Sequence, residues 1–328
     1  MPLKSESDKK WVKRLLPKEY SLLILGALIG SLSGVASSVF RQIIDFFDGV
    51  FSAQGLSLLG IPSSIHFWFL PLMPMAGGLV IGVICRFFPA AVKENGVHEV
   101  MHAVTLKDGK ISKSTILTTA TTASITIGAG GSVGREGPTV QIGSAIGSAL
   151  GRFFHQPTER LKILVGCGAA GGIAASFNAP LAGVLFALEI ILCDFTISTF
   201  SPIVIASVAG TVVGQTLMGE QSTFQVPIHE LVSYWEISFY LILGLLCGLV
   251  ATFFFKAFFK IKWIFEEKVK INNLLKPALG GLIIGALSIF SPQFLGNGYA
   301  FMEQSLNGSV LWDQALLLIF LKIVATAI

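Results

Sequence analysis

The stretch Gly130-Gly131-Ser132-Val133-Gly134-Arg135-Glu136-Gly137-Pro138 decides the fold, because it carries two charges between two apolar runs with no polar loop around them. Before it lies a segment rich in Thr and Ala; after it an apolar helix is predicted over Thr139 to Leu150. Charges at membrane depth are rare and face the protein interior or an aqueous path. Pro138 suits the first turn of a helix, where its missing N–H costs nothing, and the glycines before it let the backbone approach a ligand closely. A helix that starts there offers unpaired N–H groups and the positive end of its dipole, which together make an anion site. Glu136 then sits where an external anion would bind. Ionised, its carboxylate plugs the position; protonated or displaced, it leaves room for chloride or a similar small anion. The plainer reading of the same two charges is an ion pair, Arg135 with Glu136, that staples two helices.

Outward from this loop the composition is that of a chain in lipid. Hydrophobic residues make up 53% and charged residues only 13%, against about 25% charged in soluble domains. Tyr20 to Phe40, Phe195 to Gly219, Ile237 to Phe255 and Pro277 to Phe301 contain no Asp, Glu, Lys or Arg, and each meets the length of a spanning helix, about 20 apolar residues. With the runs Trp68 to Cys85, Thr115 to Gly134, Ile163 to Leu188 and the one from Leu316, roughly eight to eleven membrane helices are expected, helices being one of two backbones that satisfy themselves in lipid. Most of the 35 glycines fall inside these runs, which predicts close helix packing and broken helices. Cys85, Cys167, Cys193 and Cys247 show no CxxC spacing and read as packing residues.

Residues 1–18 hold Lys4, Lys9, Lys10, Lys13, Arg14 and Lys18 just before the first apolar run. Basic flanks stay inside, so the N-terminus is expected in the cytoplasm of a multi-pass cell-membrane protein, with this arm retained as an amphipathic interfacial segment. Most of the net charge of +4 lies in the arm. Nucleic acid is not an expected partner, and neither a cofactor nor a metal is called for.

An internal repeat is visible. Pro74, Gly77, Gly78, Leu79, Ile81, Gly82, Phe87 and Pro89 recur as Pro277, Gly280, Gly281, Leu282, Ile284, Gly285, Phe290 and Pro292, at a constant offset of 203. One residue of slippage later, Asn95-Gly96 answers to Asn297-Gly298. Repeats of this kind let transporters place a site between corresponding halves. The expected organisation is a first membrane repeat with the gating loop over 19–219 and a second, partial repeat over 233–328, less than half as long.

The Gly134-Arg135-Glu136-Gly137-Pro138 loop, the Thr139-Val140-Gln141-Ile142-Gly143 that follows and Phe177-Asn178-Ala179-Pro180-Leu181-Ala182-Gly183 resemble the CLC family of chloride channels and proton–chloride exchangers, in its bacterial type, from about Tyr20 onward. The resemblance implies an all-α integral membrane protein, an inverted-repeat bundle of tilted and broken helices, transporting chloride and assembling as a homodimer with one pore per subunit. It carries the family's gating glutamate to Glu136, and outer anion-binding amides to Arg135 and Gly137. The family's first signature, Gly-Ser-Gly-Ile-Pro, falls on Glu94-Asn95-Gly96-Val97-His98. Asn95 and Gly96 then belong to the central anion site, with the Asn95 amide able to donate in place of a serine hydroxyl. The family's third signature and its pore tyrosine fall beyond Ile328 in this resemblance. The inner glutamate of proton-coupled exchangers falls on Ile190, with Glu189 just before it. An isoleucine carries no proton, so passive conduction is the primary expectation and proton–chloride antiport, with protons as second ligand, the alternative. Glu189 reads as structural, and Asn178 as the cap of a helix beginning near Pro180.

His98-Glu99-Val100-Met101-His102 is a literal H-E-x-x-H, the pattern in which two histidines share a helix face and hold zinc. An intramembrane zinc metalloprotease is therefore a remote alternative. A catalytic zinc takes three protein ligands, and no third one is evident, so transport and not catalysis is expected.

Overall fold

The computed structural model describes residues 18–52, 71–88, 96–219 and 233–328 except 292 and 294, with single positions at 55, 57 and 69. Residues 1–17 of the N-terminal arm, Pro89, Glu94, Asn95 and Pro292 lie outside the described residues. The described chain is helical: α1 (Lys18–Phe51), α2 (Leu72–Phe87), α3 (Val97–Leu106), α4 (Ser114–Gly128), α5 (Glu136–Phe153), α6 (Thr158–Phe177), α7 (Pro180–Phe186), α8 (Ile197–Met218), α9 (Glu236–Trp263), α10 (Lys276–Ser288), α11 (Tyr299–Leu306) and α12 (Trp312–Ala327). Wider π turns follow α7 over Ala187–Leu192 and α9 over Ile264–Lys268.

Among the described residues four helices are long and apolar enough to cross a membrane, Tyr20–Phe51, Thr158–Phe177, Ile197–Met218 and Glu236–Lys268. Three of the four charge-free runs expected to span fall on them. The fourth, Pro277 to Phe301, does not form one helix. α10 stops at Ser288 after 13 residues, and Gly296 and Gly298 take φ of 64° and 79° before α11 begins. At 1.5 Å per residue α10 is about 20 Å long and falls short of the hydrocarbon core. The run Ile163 to Leu188 is likewise divided, at Asn178.

The chain packs as two compact units. The first comprises Met1–Ile43, Ala90–Thr121 and Glu136–Thr223. Its centre is α6, in which Leu164 to Ser176 is buried without a break, flanked by α5 and α8. Glycine is a poor helix former, yet α6 and its neighbours use it wherever they touch. A Cβ on Gly143 would strike the Gly168 carbonyl and one on Gly168 the Gly143 carbonyl; one on Gly171 would lie 2.8 Å from the Gly30 Cα. Small residues let the backbones meet where lipid provides no hydrophobic drive between helices. Leu22, Ile29, Leu164, Leu188 and Ile203 fill one side of this seam, and Val100, Val140, Val165, Ile173 and Ile191 the other.

The second unit comprises Ile44–Pro89, Thr122–Arg135 and Phe224–Ile328. Here the repeat becomes a contact. A Cβ on Gly78 would meet the Pro277 carbonyl and one on Gly82 the Leu274 carbonyl. In exchange, a Cβ on Gly281 would meet the Pro74 carbonyl and one on Gly285 that of Pro71. Each contact is the other moved by 203 positions, so α2 and α10 pair antiparallel about a local pseudo-twofold axis. A cavity of about 210 Å³ is lined by Pro74, Gly77, Gly78, Ile81 and all four of their equivalents. α12 packs against α9, in which no residue is buried.

Candidate functional site

α5 begins at Glu136. Pro138, its third residue, sits in the first turn, and the Glu136 side chain is exposed. α3 begins nearby in the same unit, after Gly96. A Cβ on Gly137 would lie 3.5 Å from the Gly96 Cα, so the two helix starts meet at a pair of glycines. Gly96 has φ 86° and ψ −162°, a region open essentially to glycine. Each helix start presents N–H groups without intrahelical partners, and the N-cap of α3 brings no capping side chain. Two positive dipole ends at one place suit an anion.

Behind this meeting point lies a residue that the reading of the sequence did not single out. Gln141 is fully buried. Its Oε1 accepts the Gly96 N–H at 2.9 Å and the Thr119 hydroxyl at 3.1 Å. Gln141 lies one turn beyond Gly137 on the same face of α5. The available signal was a polar side chain inside an apolar run, which is tolerated only when hydrogen-bonded.

Ile190 is half-buried in the π turn and packs, with Val97, on the cluster of Val100, Val140 and Val165. Glu189, on the same turn, is exposed. Asn178 does not cap the helix after it. It ends α6 in left-handed backbone, φ 54° and ψ 39°, while α7 starts from Ala179 with no side-chain cap. Asn tolerates this conformation better than most residues, and its Oδ1 accepts a hydrogen bond of 2.8 Å from the Gln215 amide. Asn178→Ala is expected to cost about 2 kcal/mol, and Asn178→Gly about half that, since glycine loses only the hydrogen bond; thermal unfolding in detergent measures both.

Arg135 belongs to the second unit, one bond before Glu136. It is buried at 6% exposure, with its guanidinium 5.3 Å from the Tyr299 ring centroid. Its loop is fastened in that unit: the Gly296 N–H donates to the Gly130 carbonyl at 3.1 Å, and the Ser132 and Thr326 hydroxyls are 3.2 Å apart. Gly298, like Gly96, is a positive-φ glycine that caps a short helix, the counterpart expected from the Asn-Gly repeat.

In the H-E-x-x-H stretch, on α3, the Glu99 carboxylate is held by Lys107 Nζ at 3.1 Å, with His102 Nδ1 at 3.9 Å from its other oxygen. Among the described residues no group of three His, Cys, Asp or Glu side chains is assembled that could hold a metal ion.

Comparison with known proteins places this geometry. The family described as voltage gated chloride channel matches residues 77–328. A ClcB-like chloride channel protein of Ralstonia nicotianae is 31% identical over 310 residues, 93% of this chain and 72% of its own length. The chloride channel protein CLC-f of Arabidopsis thaliana is 30% identical over 321 residues, 89% of this chain but 38% of its own length. Among solved structures, a slow cyanobacterial Cl-/H+ antiporter superposes with a TM-score of 0.81 at 22% identity, covering 95% of this chain and 74% of that one. A CLC-type fluoride/proton antiporter superposes with 0.78 at 23%, covering 94% and 75%.

Proposed function

This chain belongs to the voltage gated chloride channel family, and from that premise we propose that it carries chloride or a similar small anion across the cell membrane past Glu136. The observation that carries the reading is the meeting of two helix starts at Gly96 and Gly137, with Glu136 as the first residue of one of them. The anion takes the N–H groups there, and the Glu136 carboxylate competes for them. The outer amides are assigned to Arg135 and Gly137, and the central site to the side-chain amide of Asn95 and the helix start at Gly96. No bond in the substrate is made or broken. The family resemblance supports a homodimer, and the basic arm of residues 1–18 supports a cytoplasmic N-terminus.

Conduction is proposed to be passive. The two structural relatives are described as proton antiporters, and antiport needs an ionisable group inward of the gate. The position assigned to it holds Ile190, set in an apolar cluster. Chloride efflux from liposomes, recorded together with external pH, tests this. Efflux is expected without protons moving against their gradient; a fixed proton flux opposing chloride would sink the passive reading in favour of antiport, and silence toward every anion would sink the transport reading itself.

A further inference from the structure

We infer that Gln141 is a positioning residue for the anion: it sets the orientation of the first turn of α3 and thereby which anions pass. The inference rests on the transport reading above and adds a residue and a selectivity to it.

Gly96 has its N–H committed to Gln141 Oε1. What α3 then offers an anion is the turn that follows, the N–H groups of Val97 and His98, whose direction depends on the Gly96 peptide plane. Gly96 is free of neighbours where a Cβ would be, so its unusual φ and ψ are not forced by crowding. The restraint is the hydrogen bond. Because the Thr119 hydroxyl donates to the same oxygen, the Gln141 side chain is itself braced between α4 and α5. Gly137 and Gln141 thus hold the turn from one helix face, the first by contact and the second by hydrogen bond, so the inner and outer N–H groups keep a fixed separation. A fixed separation is what distinguishes anions of different radius.

The asymmetry of hydrogen-bond loss gives the test its form. Gln141→Leu leaves the part-buried Gly96 N–H and the buried Thr119 hydroxyl without their acceptor, the expensive kind of loss, whereas Thr119→Val removes a donor and leaves Oε1 still paired with Gly96. In liposomes the nitrate-to-chloride flux ratio is expected to change about tenfold in Gln141→Leu, which corresponds to about 1.4 kcal/mol of differential stabilisation. The change in Thr119→Val should be under about threefold, in keeping with one ordinary hydrogen bond, and absent in Thr119→Ser. Damage to the fold alone reduces the working fraction and scales every anion equally, leaving the ratio where it was. An unchanged ratio in Gln141→Leu, with chloride flux still measurable, overturns the inference and spares the transport reading; an unsubstituted protein silent toward all anions overturns both. A second measurement needs no substitution: residue-resolved amide exchange on the full chain in chloride and in gluconate. The Gly96 amide is expected to exchange slowly in both salts, with Val97 and His98 slowed by chloride. A Gly96 amide that exchanges fast in gluconate and is slowed by chloride would show that it binds the anion itself, and would overturn the inference.

Discussion

Glu136→Gln liposomes are expected to release chloride at a rate that no longer varies with pH, and to exceed the unsubstituted protein wherever the carboxylate is ionised. The sign follows from competition. In the proposed gate an ionised Glu136 occupies the positive end of α5 and excludes the anion, so that protonation weakens its claim on the helix start and raises flux through the unsubstituted protein. Glutamine has the same shape and no charge at any pH, so the variant behaves as the protonated form throughout. An exposed carboxylate at a helix N-terminus gains up to about 1 kcal/mol from the dipole, which corresponds to a factor of about 5. The rate at neutral pH should rise by that factor, read as chloride efflux over pH 4 to 8. A variant that keeps the pH profile of its parent would remove Glu136 from the gate and return it to the role of an ion-pair partner for Arg135.

The second large effect concerns the repeat. Gly78→Val and Gly281→Val are each expected to destabilise the protein, by similar amounts, although they lie on different helices 203 positions apart. In both, the new side chain meets a proline carbonyl across the α2–α10 contact, Pro277 for Gly78 and Pro74 for Gly281. Main-chain atoms cannot swing aside as a flexible side chain can, so the helices must part. Overpacking costs about 1–3 kcal/mol and sometimes more. Gly248→Ala in α9 is the control, because nothing lies within 4 Å of a Cβ there and a helical glycine replaced by alanine gains up to about 1 kcal/mol. Thermal unfolding in detergent should separate the two outer variants from the control; unequal losses at Gly78 and Gly281 would show that the pseudo-twofold relation is one of sequence only.

Much of this architecture is legible in the amino-acid sequence. Pro138 marks the first turn of α5 because proline is welcome where an N–H has no partner anyway. The spacing of Pro74, Gly77, Gly78 and Gly82 marks a surface meant for a close neighbour, and its recurrence 203 positions on names that neighbour. What stays hidden shares one cause, dependence on residues far away in the chain. Asn178 before Ala179-Pro180 reads as an N-cap, yet local sequence does not say whether it closes α6 or opens α7; left-handed backbone and the Gln215 amide decide for closing. The run Pro277 to Phe301 has the hydropathy of a spanning helix, and hydropathy does not register that α10 stops at Ser288, eight residues before Gly296. Gln141 is visible as a polar residue in an apolar helix, but its use depends on Gly96 and Thr119, which come from elsewhere in the chain. Glu136 and Arg135 adjoin in sequence yet belong to different compact units, a division that no local pattern announces.

The α2–α10 pairing has a consequence for association. A contact in which position 78 meets 277 while 281 meets 74 is isologous, the kind that two identical chains form across a two-fold axis. Two separate half-length chains bearing this motif would assemble through the same surface, with an occupancy that falls as they are diluted in the bilayer. Carried on one polypeptide, the two faces meet at an effective concentration set by the chain between them, and the pairing no longer depends on how much protein the membrane holds. The covalent connection between the repeats makes a second-order encounter into a property of each molecule, so the α2–α10 contact should persist unchanged as the lipid-to-protein ratio is raised.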